Sequence, residues 1–178
     1  MARAILFVGL PASGKSTLLA SIVMDHLSYG GQTPFIYSTD DIIQTVADFT
    51  NQTYNEVFKD TIDFAKKTMD KALDRHSTEG TTIFWDQTNL TLKKRKEAVD
   101  YLKARNYEVG CIYTKVPDEN YPDWALRIMT RPGKTIPVHV IESMKGSLVA
   151  PTMDEGLAFV STVNTFLPDA TVDTVGDL

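Results

Sequence analysis

Cysteine is all but missing from this chain of 178 residues: Cys111 is the only one. An intramolecular disulfide framework is thereby excluded, and a reducing, cytoplasmic setting is expected. No apolar run approaches the roughly 18 residues that a membrane-crossing helix needs. Met-Ala-Arg leads directly into an apolar strand, so no secretory leader is expected either. Positive charge is in short supply: 18 Lys and Arg face 23 Asp and Glu, for a net charge of −5. That balance argues against a protein that coats nucleic acid non-specifically, while a local basic groove stays possible. The three histidines, His26, His76 and His139, lack metal-ligand spacing and are expected on helices or at their ends. Neither an internal repeat nor a low-complexity tract is present.

What is present is an ordinary globular balance, 43% hydrophobic and 23% charged, in a length that suits one domain with its own core. Strong β-formers recur at Ala4–Val8, Pro34–Ser38, Thr81–Asp86, Tyr107–Thr114 and, more weakly, Ala158–Val163. All but the last are continuous apolar runs, as in parallel strands covered on both faces. Helical stripes lie between them: Leu18, Leu19, Ile22 and Val23; Phe58, Ile62, Ala65, Met69 and Leu73; Leu92, Val99 and Leu102; and Ile136–Leu148, with Pro137 in its first turn. Gly30-Gly31 and Glu79-Gly80 punctuate helix ends. The alternation predicts a doubly wound α/β domain with its site beyond the carboxyl ends of the strands. Its core should span about residues 2–165, and the acidic, small-residue tail 169–178 is expected to be loosely held.

The segment GLPASGKST directly follows the first strand and opens a helix. It matches G-x-x-x-x-G-K-[ST] at Gly9, Gly14, Lys15 and Ser16. The glycines let the backbone curl so that its N–H groups point at phosphates, and the helix N-terminus adds partial positive charge. The expected phosphate-binding set is Gly9, Pro11, Ala12, Ser13, Gly14, Lys15, Ser16 and Thr17. Lys15 should reach the β- and γ-phosphates of ATP, and the Ser16 hydroxyl should ligate Mg2+.

Asp40 and Asp41 follow the second strand, whose carboxyl end is expected near that of the first, beside the γ-phosphate. A carboxylate there can take the proton of an incoming hydroxyl. Asp40, nearer the strand end, is the favoured base, although Thr39 or Asp40 could also cap a helix over Asp41–Asp48. Ile83-Phe84-Trp85-Asp86 is an apolar strand ending in a carboxylate, which suits Asp86 to Mg2+ beside Ser16. Thr88 and Asn89 could touch acceptor or nucleotide, and Thr91 is a plausible N-cap. Between two helical segments, Thr130–Pro137 forms a loop carrying Arg131 and Lys134. As a lid it would bring Arg131 to the phosphates as a cation supplied in cis. The basic run Lys93–Lys96 reads as a solvated face, or else as the border of a groove for a polyanion. Cys111 should pack within a strand, and Trp124 should anchor a helix or stack on a base.

Four motifs in this order, GLPASGKST, Ser38-Thr-Asp-Asp41, Asp86-Gln-Thr-Asn-Leu90 and Arg131-Pro-Gly-Lys-Thr-Ile-Pro137, resemble those of bacteriophage polynucleotide kinase domains, from Gly9 to about Met144. The resemblance implies transfer of the γ-phosphate of ATP to a hydroxyl, such as the 5′-hydroxyl of a DNA or RNA end. It assigns triphosphate and Mg2+ to Lys15 and Ser16, acceptor activation to Asp40, metal support to Asp86 and phosphate stabilisation to Arg131. A nucleic-acid acceptor is the implied partner. One position departs from the pattern: Ile43 stands where end-directed members carry an arginine that grips the acceptor's phosphate. A hydroxymethylated base in DNA, or a small-molecule hydroxyl, is the alternative acceptor. The chain has no D-x-D-x-T phosphatase motif, and no N-K-x-D to mark a guanine-specific switch.

Overall fold

The computed structural model describes residues 2–131, 134–166 and 171–176. Its centre is a six-stranded sheet in the order β2-β3-β1-β4-β5-β6. The strands are β1 (Ala2–Val8), β2 (Phe35–Tyr37), β3 (Ile83–Trp85), β4 (Tyr107–Lys115), β5 (Phe159–Asn164) and β6 (Thr171–Gly176). The first five run parallel, and β6 closes one edge antiparallel to β5. β1 is central and is covered on both faces. Ala4, Leu6 and Val8 join Tyr37, Ile83, Trp85, Val109 and Cys111 in one core layer. Phe7 joins Leu19, Phe84, Ile112 and Phe159 in the other. This two-sided burial is why the strands read as continuous apolar runs.

The helices are α1 (Lys15–Ser28), α2 (Thr39–Thr50), α3 (Tyr54–Glu79), α4 (Leu92–Lys103), α5 (Tyr121–Met129) and α6 (Val138–Ser147). Local chemistry fixes their starts. Thr53 and Glu56 form a reciprocal capping box on α3, and Thr91 caps α4 through the Lys94 N–H. A separate apolar cluster of Ile43, Ala47, Tyr54, Val57 and Ala65 locks α2 against α3.

The structure corrects several sequence expectations. β3 lies between β2 and β1, so the end of β2 is one strand removed from that of β1, though Asp40 still lies close enough to act on the charges of Lys15 and Asp86. α2 starts at Thr39 and is capped by Ser38, whose hydroxyl accepts from Asp41 N–H, rather than by Thr39 or Asp40. Pro137 is the N-cap of α6 and not part of its first turn. Phe58 and Leu92 are exposed, because the buried stripe of α3 runs through Val57, Thr61, Ala65 and Leu73, and Leu92 is the first residue of α4. Within the segment read as a loose tail, residues 171–176 pair with β5; 169, 170, 177 and 178 lie outside the described residues.

The basic run on α4 is not one solvated face. Lys93, Lys94 and Lys96 are exposed, but Arg95 is completely buried. Its guanidinium makes two hydrogen bonds to Glu155, at 2.6 and 2.7 Å, and donates to the carbonyls of Asn89, Leu90 and Val149. A buried charge so fully paired ties the Asn89–Leu90 loop to the start of α4 and to residues 149–155.

Candidate active site

Because the five parallel strands share a direction, their carboxyl ends present the phosphate loop, Ser38–Asp41, Asp86 and Thr165 along one edge of the sheet. The loop is braced from several sides. Gly9 N–H donates to Thr88 O (3.0 Å), and the Asn89 side-chain amide, from a left-handed backbone (φ 47°), donates to Phe7 O (2.8 Å). Ser13 is fully buried, with its hydroxyl on Thr114 Oγ1 (2.6 Å), its N–H on Leu10 O and its carbonyl accepting from Thr165 Oγ1 (2.6 Å). Trp124 Nε1–H donates to Pro11 O (2.7 Å). The glycines are required by close approach: a Cβ on Gly9 would run into Thr114 Oγ1, and one on Gly14 would sit 2.6 Å from Thr165 Oγ1. Gly14 also has φ 89°, in the left-handed region.

α1 starts at Lys15 with Gly14 as its N-cap and no side-chain capping bond. Its first N–H groups are therefore left for an anion. Lys15 is buried, and its ammonium donates to Gly9 O (2.9 Å) and Leu10 O (2.7 Å). Desolvation lowers its pKa from 10.5 to about 8. Asp86 and Asp40 oppose that shift, whereas Arg131 and Lys134 add to it. Ser16 and Thr17 are exposed at the mouth of the loop. Asp86 is half-buried at the end of β3, with Ser16 near enough to favour its charged form. Burial raises its pKa, the Lys15 charge opposes this, and Asp41 and Asp40 push it further up. A hydroxyl beside a carboxylate that other carboxylates crowd suits a dication that keeps most of its waters, so the pair fits Mg2+.

Asp40 stands in the first turn of α2 with 54% of its side chain exposed, within reach of an acceptor. Tyr54 Oη–H donates to Asp40 Oδ1 (2.6 Å), and Lys134 Nζ donates to Oδ2. Lys134 also lies 3.7 Å from the centre of the Tyr54 ring. Partial burial pushes the Asp40 pKa up, but the hydrogen bonds from Lys134 and Tyr54, with the charges of Lys134 and Arg131, hold it below the usual carboxylate range. Asp40, Asp41, Gln44, Tyr54, Arg131 and Lys134 line a cavity of about 150 Å3. The lid is tied to the start of α3 by Asn55 Nδ2, which donates to Thr135 O (2.7 Å). Pro132 and Gly133, part of the expected lid, lie outside the described residues.

Lys15, Ser16, Asp40, Asp41, Asp86 and Arg131 therefore come together, while two acceptor candidates, Ile43 and Asn89, do not. Ile43 is fully buried between α2 and α3. Asn89 is buried and its side-chain amide is spent on Phe7 O, whereas Thr88 holds Gly9 through its carbonyl alone and keeps a half-buried side chain. These two brace the phosphate loop. Ile43 is the residue three positions after Asp40, and that turn of α2 faces α3, not the cavity. Trp124 is 3% exposed and bonded to Pro11, which leaves no face for a base. Tyr54, Thr114 and Thr165 escaped sequence reasoning because each acts across a tertiary contact with no local motif. A tyrosine opening a long helix carries no signal of its own.

A phosphate loop at the head of α1, a carboxylate ending β3 and a cationic lid over the same edge define a P-loop domain of the kinase kind. A family model described as an AAA domain (AAA_33) matches residues 5–151, and the chain belongs to that family. Its fold is similar to that of a chain of the PezAT chromosomal toxin–antitoxin system of Streptococcus pneumoniae, with TM-score 0.65 and 17% identity over 92% of this chain and 67% of that one. It is also similar to a putative kinase from Chloroflexus aurantiacus (TM-score 0.69, 14% identity, 94% and 87% covered). A sugar kinase from Janibacter sp. is a third likeness (TM-score 0.56, 18% identity, 94% and 88% covered). No curated protein sequence matches the chain. Among the described residues no helix is long and apolar enough to cross a membrane.

Proposed function

We propose that this P-loop kinase-family domain moves the γ-phosphoryl group of ATP to the hydroxyl of a small acceptor that carries no net negative charge. The observation that supports this most is the composition of the cavity at Asp40. Its walls are two carboxylates, an amide and a phenol, and its two cations belong to the lid. Asp41 and Gln44 offer no cation to the phosphate of a strand end, and the place of the gripping arginine is taken by the buried Ile43. The nucleic-acid acceptors implied by the motif order, a 5′-hydroxyl end or a hydroxymethylated base, are the alternative outcomes of the test.

In this reading Asp40 takes the proton as the acceptor oxygen bonds to the γ-phosphorus. The bond from that phosphorus to the β–γ bridging oxygen breaks, and ADP leaves with the electron pair. The N–H groups at the head of α1, Lys15, Arg131 and Lys134 stabilise the charge that spreads over the transferred oxygens. Ser16 and Asp86 would hold Mg2+, which neutralises phosphate charge when bound. The test is to incubate the protein with γ-labelled ATP and Mg2+ alongside sugars and polyols, free nucleosides, 5′-hydroxyl DNA and RNA oligonucleotides, and DNA with hydroxymethylated pyrimidines. Labelling of a small hydroxyl compound, with the oligonucleotides unlabelled, is expected. Labelling of strand ends or of the modified base would overturn the small-acceptor reading.

A further inference from the structure

We infer that Tyr54 is a positioning residue for phosphoryl transfer: it pins Asp40 through Oδ1, so that Oδ2, capped by Lys134 when no nucleotide is bound, is the oxygen that receives the acceptor's proton. This rests on Asp40 being the base, and it says how the base is held and uncovered. The two bonds to Asp40 differ in kind. Tyr54 is 5% exposed, is packed in the α2–α3 cluster with Ile43 and Val57, and reaches Oδ1 at 2.6 Å. It cannot leave without opening that core. Lys134 stands on the lid, on a flexible stem, and its ammonium rests between Oδ2 and the face of the Tyr54 ring. An ammonium held by one carboxylate oxygen and a ring face exchanges readily onto a phosphate that offers more charge.

With one donor on each oxygen Asp40 keeps open lone pairs, but at Oδ2 an acceptor hydroxyl has to compete with the Lys134 ammonium. Arrival of a triphosphate draws Lys134 away, frees Oδ2 and leaves Oδ1 fixed. ATP should therefore strengthen productive binding of the acceptor. The other charges around the carboxylate are Asp41 from α2, Arg131 from the lid, Lys15 from the phosphate loop and Asp86 from the end of β3.

The experiment compares wild type, Tyr54→Phe, Asp40→Asn and the double variant. Its two readouts are transfer to whichever compound of the acceptor panel is labelled and, in the nucleotide-free protein, the 13C titration of the Asp40 carboxyl. Tyr54→Phe removes one oxygen and keeps the ring in its core. It should lower kcat about tenfold or more, the effect of losing one hydrogen bond to a charged group, with KM for ATP unchanged. The acid limb of the pH–rate profile and the Asp40 titration should both move to higher pH. In the Asp40→Asn background the same change should have little further effect. A wild-type rate, pH profile and carboxyl titration in Tyr54→Phe, with Asp40→Asn inactive, would overturn the role of Tyr54 and leave the base intact. Full activity of Asp40→Asn would instead overturn the base itself. Acceptor binding as tight without nucleotide as with a non-hydrolysable ATP analogue would refute the capping by Lys134.

Discussion

Lys15 provides a test that needs no knowledge of the acceptor. Its ammonium is buried against two carbonyls, and its pKa falls from 10.5 to about 8. At about 1.36 kcal/mol per unit, the charged form is disfavoured in the nucleotide-free fold by about 3 kcal/mol. The folded chain then binds fewer protons than the unfolded chain between pH 8 and 10.5, so this group's cost is fully present below pH 8 and is relieved as pH rises through that window. A triphosphate in the loop surrounds the ammonium with negative charge and restores its ordinary affinity for a proton. MgATP binding should therefore take up a proton above pH 8. Its dissociation constant should rise about tenfold from pH 7 to pH 9, the ratio expected from a shift of this size. Isothermal titration in buffers of different ionisation enthalpy measures both quantities, and Lys15→Met should bind weakly with no such pH dependence. Wild-type affinity that is flat from pH 7 to 9, with no proton uptake, would refute the assignment of Lys15 to the phosphates.

Ile43→Arg places a guanidinium in the α2–α3 cluster instead of at an acceptor. It should cost about 3 kcal/mol or more in urea unfolding, whereas an unchanged midpoint with improved labelling of DNA ends would contradict the burial. Arg95→Ala leaves Glu155 and three carbonyls without their donor and should cost about 3–5 kcal/mol; a loss under 1 kcal/mol by the same measurement would show that the pairing contributes little. Arg131→Lys should impair transfer nearly as much as Arg131→Ala, because a point-charge ammonium cannot donate two parallel bonds to phosphate oxygens. Full turnover in the lysine variant would reduce Arg131 to a general source of positive charge.

The parts of this protein that follow from short-range rules were legible in its sequence. Continuous apolar runs marked the parallel strands, and the Gly9–Thr17 pattern marked the phosphate loop, since spacing along the chain alone dictates both. What was hidden depends on which elements pack together. The insertion of β3 between β1 and β2 cannot be read from chain order. The orientation of α2 decides that Ile43 faces α3, and helical spacing from Asp40 did not reveal it. Arg95 looked like part of a solvated run because its partner, Glu155, is sixty residues away. Tyr54 belongs to the site only because α3 folds back along α2, bringing it to a carboxylate fourteen residues earlier.

The central claim is that Asp40 activates an acceptor hydroxyl on an ATP-loaded P-loop domain. The most direct test is a single-turnover comparison of wild type, Asp40→Asn and Asp41→Asn with γ-labelled ATP and the acceptor identified from the panel, with MgATP affinity measured in parallel. Asp40→Asn should lose about a hundredfold or more in the rate of phosphate appearing on the acceptor, the usual contribution of a general base, while MgATP affinity stays within about twofold and Asp41→Asn keeps most of the rate. A wild-type rate in Asp40→Asn, or a collapse seen in Asp41→Asn alone, would contradict the account.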